Sequence, residues 1–369
     1  MRRSLLIVMT LLLLLPALAA CGDDDDDNGD DPEPTATTET ATETDEEDEA
    51  SDEDEGDDQE LTELTIGMVP VLIYAPVMLA QDKGYFAEEG IESNLESIAG
   101  GGDMVTLTSN GDFDIGIGGA GPAFFNAIER GVELDVIAPL HFERDPQATP
   151  LVVSKERYDS GELDSVEKLE GMNVSVNARG ATEYWLDQAL RTGGLTIEDI
   201  ELQELGFGDV PAALESGSLD AAMLGEPLAT QAEQEGLIVR LADGFISEIQ
   251  PTFVFVNPEF AEENEDLVHG FMRAYLQGCR DLMSDDWASD ENLGHLEAQT
   301  GVPPDLIRES ARTYCEPNGE VNADDLETLQ EFFAERGLLE YEEMLDVETF
   351  IDRSFAEAAV EELGTFEEE

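Results

Sequence analysis

Short β-rich segments alternate with helical patterns between residues 61 and 256, and this alternation constrains the fold more than any other feature of the sequence. Strands and helices that alternate at such short spacing predict βαβ units and a mainly parallel sheet. The predicted strands fall into two sets, and the second set begins at Leu151. They cover residues 61–68, 91–98, 113–117, 132–140, 173–176, 200–205, 221–224, 237–241 and 252–256. We therefore predict an α/β protein with parallel-type sheets.

Beyond residue 256 the pattern becomes wholly helical. The predicted helices span residues 265–283, 291–300, 304–314, 323–336 and 347–362. Two cysteines, Cys279 and Cys315, fall in this helical part. Outside the cytoplasm two such thiols can form a disulfide, and otherwise they are small buried hydrophobic residues. The spacing alone leaves both alternatives open.

The first 20 residues have the pattern of an export signal. Arg2 and Arg3 precede an apolar run, and small residues then lead to Cys21. This ending resembles a bacterial lipobox, which predicts that residues 1–20 are removed and that Cys21 becomes a lipidated, membrane-anchored first residue. A transmembrane anchor is the alternative, but the apolar run is at the short limit for a span. The arginine pair leaves open whether export is general or twin-arginine.

Residues 21–60 contain almost no large apolar side chain and are rich in Asp and Glu. Such a segment cannot bury enough surface to fold, so we expect a disordered acidic tether. The whole chain has 88 acidic residues against 17 basic ones, a formal net charge of −71. Molar salt screens most of this repulsion, which indicates a halophilic protein. Because the sequence has no basic stripe, we expect no nucleic-acid partner.

One strand-to-helix junction carries the strongest sign of a ligand site. A predicted strand at 173–176 is followed by Arg179, Gly180, Ala181 and Thr182, and a helical pattern begins there. The first N–H groups of a helix have no partner within it and lie at the positive end of its dipole, so this junction predicts an anion site. The alternative is an ordinary turn in which Gly180 permits the bend and Thr182 caps the helix.

Four stretches of the sequence resemble one family. They are APVMLAQDKGYFAEEGI (75–91), LEGMNVSV (169–176), AALESGSLDA (212–221) and GEP (225–227). In this order and spacing they are similar to the solute-binding proteins of ABC importers for nitrate, sulfonates, taurine and thiamine pyrimidines, the NMT1/THI5-like group.

The resemblance implies a type II periplasmic-binding-protein fold with two lobes and a hinge of two crossing segments. By analogy lobe 1 spans 61–150 and lobe 2 spans 151–250, and residues 251–369 return to lobe 1 and form the C-terminal helices. The crossings are expected near residues 149–153 and 252–256. The resemblance further implies a monomer that holds a small-molecule solute between its lobes and delivers it to an ABC permease.

In open parallel sheets, ligands lie beyond the carboxyl ends of the strands. The loops predicted at these ends are 69–76, 118–122, 177–182 and 225–227. The candidate ligand-binding residues are Val71, Tyr74, Gly119, Ala120, Gly121, Arg179, Gly180, Ala181, Thr182 and Glu226. Glu226 is expected to accept from an amine or a pyrimidine N–H, with a helix-start acid as the alternative. Trp185 lies one turn into its helix, where a core position is favoured over ligand contact.

The sequence contains little that indicates a catalytic function. Residues 116–121 match GxGxxG, but the next acids fall at the start of the following strand, so no nucleotide cofactor is expected. No GxSxG segment occurs, and His141, His269 and His295 are not spaced as metal ligands, so no metal site is expected. We expect an exported, lipid-anchored binding protein for a small nitrogen- or sulfur-containing solute or anion. The alternatives are a secreted enzyme on the same fold and a ligand-sensing surface module.

Overall fold

A computed structural model of the chain describes residues 61–98, 102–246 and 248–367. The predicted signal peptide, the lipidated Cys21 and the acidic tether lie outside the described residues. No described helix combines the length and the apolar character needed to cross a bilayer.

The described part begins with strands and helices in alternation, as the sequence patterns predict. Its first elements are β1 (Thr62–Met68), α1 (Ala75–Asp82), α2 (Tyr85–Glu88), β2 (Ile91–Ser97), α3 (Gly102–Ser109), β3 (Ile115–Gly119), α4 (Pro122–Glu129) and β4 (Asp135–His141). A second series contains β5 (Leu151–Ser154), α5 (Lys155–Asp159), β6 (Asn173–Val176), α6 (Ala181–Arg191), β7 (Glu201–Glu204), α7 (Val210–Ser216), β8 (Ala221–Met223), α8 (Leu228–Gln234) and β9 (Ile238–Ala242). The chain then adds β10 (Thr252–Val256) and turns helical.

The strands form two five-stranded sheets. The first sheet has the order β2-β1-β3-β10-β4 and the second has the order β7-β6-β8-β5-β9. In each sheet four strands run in one direction and one strand, β10 or β5, is antiparallel to both of its neighbours. The two-sheet α/β fold agrees with the predicted class, although each sheet is mixed.

The reversed strands follow from where the chain crosses between the sheets. It leaves β4 at His141 and enters β5 at Leu151, which pairs with Met223 at the carboxyl end of β8. It returns through residues 243–251 and enters β10 at Thr252, which pairs with Gly119 at the carboxyl end of β3. A strand that enters at the carboxyl edge must run against its neighbours. The crossings are therefore residues 142–150 and 243–251, and residues 252–256 form a strand.

Three hydrophobic clusters cover the faces of the two sheets. The first packs one face of the first sheet against α1 and the long helix α10 (Glu265–Met283). The second contains side chains of both sheets, among them Phe124, Phe255 and Trp185. The third cluster covers the remaining face of the second sheet.

Three of the five predicted C-terminal helices match the structure within one residue, and two are shorter than the sequence patterns predict. After α9 (Pro258–Glu263) and α10 come α11 (Asp290–Thr300), α12 (Pro304–Glu309), α13 (Ala323–Glu335) and α14 (Ser354–Leu363). The helix predicted over 304–314 ends at Glu309, because Tyr314 instead makes an antiparallel bridge with Phe142 of the first crossing. The helix predicted over 347–362 is split, and Ile351 pairs with β4. Cys279 and Cys315, both fully buried, are joined in a disulfide.

Candidate functional site

A cavity of about 110 Å³ lies between the two sheets at the carboxyl ends of their strands. The volume has room for several water molecules, so it exceeds a site for a single small ion. The first-sheet side contributes the loop after β1, the β3–α4 junction and Thr252, and the second-sheet side contributes the β6–α6 junction and Phe207. A solute in this cavity would therefore contact both halves of the described structure.

Two helix N-termini meet at the cavity. Gly121 is the N-cap residue of α4 and Gly180 is the N-cap residue of α6, and no side chain caps either helix. A Cβ on Gly121 would lie 3.2 Å from the Cα of Gly180 and 3.3 Å from the carbonyl oxygen of Arg179. Glycine at position 121 is what lets the backbones of the two junctions approach so closely. The positive ends of both helix dipoles consequently border the same space.

The first turn of α6 supplies hydrogen-bond donors. Within the described part of the chain, no protein acceptor receives the backbone N–H of Ala181 or Thr182. The hydroxyl of Thr182 is already used, since its single proton is directed to Asn177 Oδ1 at 2.7 Å, with the carbonyl of Ala178 as a second acceptor at 3.1 Å. The two N–H groups are thus the donors that this turn offers to a ligand.

Arg179 brings a positive charge to the cavity lining, and two glutamates pair with it. Its guanidinium donates to Glu204 and to Glu183, with 3.3 Å between Nη1 and Glu183 Oε1. Glu183 is fully buried and is shared with Arg336 at the end of α13, at 3.1 Å. Arg336 also pairs with Glu198, so three carboxylates surround the two guanidinium groups. Arg179 is nevertheless the charged side chain among the described residues that line the cavity, and its guanidinium can donate to an anion there.

Aromatic and aliphatic groups make up most of the cavity wall. The phenol of Tyr74 donates to the carbonyl of Ile117, so only its ring is offered to the cavity, and burial raises the pKa of this phenol. Phe124, Phe207 and Trp185 supply three further aromatic side chains. No Asp or Glu is found among the described residues that line the cavity. The wall therefore suits an apolar body attached to an acceptor-rich end.

A group of buried polar side chains lies behind this wall. The ring of His141 packs edge-on against Trp185 at 5.9 Å, and its Nδ1 hydrogen-bonds with Thr252 Oγ1. Glu143 accepts the N–H of Ala148, and its other carboxylate oxygen lies 3.5 Å from His141 Nε2. The indole N–H of Trp185 has no acceptor among the described residues. The wall is thus backed by polar groups at the point where the chain crosses between the sheets.

Eight of the ten predicted ligand-binding residues line the cavity: Val71, Tyr74, Gly119, Gly121, Arg179, Gly180, Ala181 and Thr182. The other two, Ala120 and Glu226, do not. Ala120 is fully buried and its N–H donates to the carbonyl of Pro251, because it joins the β3 edge to the second crossing.

Glu226 is outside the cavity lining, since its carboxylate is occupied within the protein. Its oxygens accept from the N–H and hydroxyl of Thr230, from the N–H of Ala311 and from Arg240. The carboxylate therefore occupies the position of a helix-start acid, bonded to Thr230 in the first turn of α8, which is the alternative role predicted for Glu226.

Sequence reasoning missed several lining residues. Three of them, Thr149, Phe207 and Thr252, lie outside the four loops predicted at the strand ends. Phe124 is the third residue of α4, just after the predicted loop 118–122. Thr149 belongs to the first crossing, and its position depends on where that crossing runs. Among the described residues, no group of three or more His, Cys, Asp or Glu side chains is arranged to hold a metal ion.

The chain is similar to several characterised proteins. It is 29% identical over 253 residues to the riboflavin-binding protein RibY of Chloroflexus aurantiacus, covering 65% of this chain and 69% of that protein. It is 25% identical over 279 residues to the taurine-binding periplasmic protein of Escherichia coli, covering 71% of this chain and 83% of that protein.

Solved structures show the same fold. The alkanesulfonate-binding protein SsuA of Xanthomonas axonopodis pv. citri, bound to MOPS, superposes with a TM-score of 0.66 at 19% identity, covering 79% of this chain and 98% of that one. The shared architecture is the two-lobed periplasmic-binding-protein fold. A sequence profile described as NMT1/THI5 like matches residues 73–286, more than half of the chain. The chain therefore belongs to the NMT1/THI5-like family.

Proposed function

We propose that this protein captures a small nitrogen- or sulfur-containing organic solute or anion between its two lobes and delivers it to an ABC permease. The observation that carries the proposal is the cavity between the sheets, where two uncapped helix N-termini converge beside Arg179. Uncapped N–H groups and a guanidinium stabilise negative charge on a ligand. The anionic or strongly polar end of the solute then lies on the first turn of α6.

The relatives support a binding role. Proteins named for riboflavin, for taurine and for alkanesulfonates differ in their solutes but agree in being solute-binding proteins. We propose that this chain likewise has no catalytic activity of its own.

The N-terminal sequence supports a further part of the proposal. The small residues before Cys21 and the acidic tether to residue 60 would anchor the body by lipid to the outer face of the cell membrane. Fractionation of cells tests this anchoring. Wild-type protein is expected with the membrane and Cys21→Ala in the soluble exported fraction, whereas release of both would contradict a lipid anchor.

A thermal-shift screen in molar salt tests the binding function. The panel contains taurine, alkanesulfonates, nitrate, a formylaminopyrimidine and riboflavin. A ligand present at 100 times its Kd is expected to add about 2.7 kcal/mol to the free energy of unfolding, which is a visible shift in Tm. If no compound shifts Tm, the proposed solute classes are wrong.

Two further measurements separate the alternatives. Incubation of any bound compound with the protein, followed by product analysis, should return the compound unchanged, and turnover would instead indicate an enzyme. Uptake of the bound solute by cells that contain the ABC permease should require this protein. A bound solute that is never imported would favour the ligand-sensing surface module.

A further inference from the structure

Glu183 places a negative charge beside the part of the cavity that offers donors to a solute. It is the third residue of α6, whose first two residues line the cavity, and its side chain is fully buried. Its carboxylate accepts from Arg179, which lines the cavity, with 3.3 Å between Oε1 and Nη1. A buried carboxylate at this position opposes an anionic solute in two ways, because it repels the anion and because it holds the guanidinium that the anion needs.

Arg336 brings a compensating charge from another part of the chain. It follows the last residue of α13, and it donates to the same oxygen of Glu183, at 3.1 Å from Nη2 and 3.2 Å from Nε. Arg336 is not a lining residue, and on its outer side it pairs with the exposed Glu198. It also lies outside residues 73–286, the segment that matches the family profile. Glu183 is thus the link between Arg336 and the cavity.

Helix α13 is held against both helices that begin at the cavity. Phe332 packs edge-on against Tyr184 of α6, with 5.2 Å between the ring centroids, and Phe333 packs against Phe125 of α4 at 6.4 Å. The backbone that carries Arg336 is therefore fixed by aromatic contacts and not by its ion pairs alone. A substitution of Arg336 should leave α13 in place.

We propose that Arg336 is a positioning residue for solute binding: by sharing the charge of Glu183 it leaves the guanidinium of Arg179 able to donate to an anionic group of the solute. Without Arg336, Arg179 is the cation that remains beside Glu183. Glu204, the other partner of Arg179, is half exposed and is screened by salt, whereas the buried Glu183 is screened much less. The proposal rests on the solute-binding function above and adds to it a residue remote from the cavity.

Ethanesulfonate and nitrate are the anionic probes and a formylaminopyrimidine is the neutral one, each titrated in molar salt by calorimetry. Arg336→Gln should weaken binding of the anions about fivefold, less than Arg179→Ala, because Arg179 is restrained and not removed. Binding of the neutral probe should change by less than about twofold. Arg336→Lys keeps the charge and should recover most of the affinity for the anions. Unchanged affinity for the anions in Arg336→Gln would overturn the proposal.

Glu183→Gln tests the route through which Arg336 acts. The amide keeps the shape of the side chain and removes its charge, so this variant should bind the anions about threefold more tightly than wild type. Adding Arg336→Gln to Glu183→Gln should have no further effect, because the charge that Arg336 offsets is gone. An equal loss from Arg336→Gln in both backgrounds would indicate a direct long-range attraction to the anion and would overturn the proposal.

Two control variants remove the same kinds of group nearby. Glu198→Gln removes an exposed carboxylate that pairs with Arg336 and not with Arg179. Arg130→Gln removes the exposed partner of Glu340, a pair that joins the segment after α13 to the end of α4. Both variants should keep wild-type affinity for the anions. A loss in Arg130→Gln as large as that in Arg336→Gln would show that loosening of this segment weakens binding, which would overturn the proposal.

Glu183→Gln keeps the test decisive if Arg336→Gln does not fold. Unchanged or weaker binding of the anions by Glu183→Gln would then overturn the proposal. Binding of the neutral probe alone would overturn the inference while the solute-binding function stands. If none of the three probes and none of the wider panel binds, both fail.

Discussion

The carboxylate of Glu226 and the guanidinium of Arg240 form an ion pair, with 2.6 Å between Oε1 and Nη2. Glu226 follows β8 and Arg240 lies in β9, so the pair joins two parts of the second sheet. Ala311, beyond α12, donates its N–H to the same carboxylate at 3.3 Å. Burial lowers the pKa of Arg240, but the carboxylates of Glu226 and Glu233 outweigh it and raise this pKa above its ordinary value. The carboxylate therefore stabilises the fold, and Glu226 is not among the residues that line the cavity.

Glu226→Ala should therefore destabilise the protein without changing solute affinity. The substitution leaves the buried N–H groups of Thr230 and Ala311 without their acceptor, whereas Arg240 keeps Glu233, so we expect a loss of about 1–3 kcal/mol. Denaturant unfolding in molar salt measures the loss, and calorimetry with any ligand from the panel measures affinity. Glu233→Ala is the control, since Glu233 is half exposed and contacts the same arginine. If Glu226→Ala lost affinity for the ligand but kept wild-type stability, Glu226 would instead be a ligand-binding residue.

Arg179→Ala should weaken an anionic ligand at least tenfold. The substitution removes the guanidinium at the cavity, while Glu183 keeps its partner Arg336 and the fold is preserved. Arg191→Ala is the matched control, because Arg191 is the last residue of α6, pairs with Asp187 and is not a lining residue. Equal affinities of the two variants, measured by calorimetry, would leave Arg179 with a purely structural role.

Gly121→Ala should weaken every ligand of the cavity. The added Cβ would lie 3.2 Å from the Cα of Gly180, so the two helix N-termini would have to move apart. Overpacking of this kind costs about 1–3 kcal/mol, which corresponds to a roughly five- to 150-fold loss of affinity if the close approach of Gly121 to Gly180 is needed for binding. Gly118→Ala is the control, since its Cβ would meet only ordinary contacts of 3.5 Å or more. Equal affinities of the two variants, measured by calorimetry, would show that the close contact between Gly121 and Gly180 is not needed for binding.

The alternation of strand and helix patterns was enough to predict the two sheets, because each buried strand and each helix N-terminus has a local sequence signal. The junction at Arg179 and Gly180 was found in this way. The reversed strands β5 and β10 were not, because their direction depends on where the chain crosses between the sheets and not on their own residues.

The partner of a side chain was harder still to predict. The turn at Glu226 has a local pattern, but Arg240, which neutralises Glu226, lies on another strand and carries no signal that links the two. The end of α12 depends on the contact of Tyr314 with Phe142, residues far apart in the chain. Such pairings are set by tertiary packing and are invisible to local periodicity.

Stability should rise as the pH is lowered from 7 towards 5. Burial raises the pKa of Glu316, of Asp325 and of Asp135, and for Asp135 the nearby carboxylates Asp352 and Glu133 add to the effect. A carboxyl whose native pKa is raised opposes folding above that pKa, since the unfolded chain holds the charge more easily. This cost disappears as the pH falls through the native pKa towards the ordinary value of about 4.

Asp220 differs from these three carboxyl groups because it stabilises the fold when it is charged, and it stays charged between pH 5 and 7. Burial raises its pKa, but Arg157 and Asn173 outweigh burial and hold the pKa below its ordinary value, so its stabilising effect is lost only below about pH 4. Denaturant unfolding between pH 5 and 7 measures how steeply the free energy of unfolding changes with pH, and molar salt screens long-range repulsion. Glu316→Gln should flatten this slope, whereas Glu361→Gln, an exposed position on α14, should not. A free energy of unfolding that falls towards pH 5, or an unchanged slope in Glu316→Gln, would contradict this assignment.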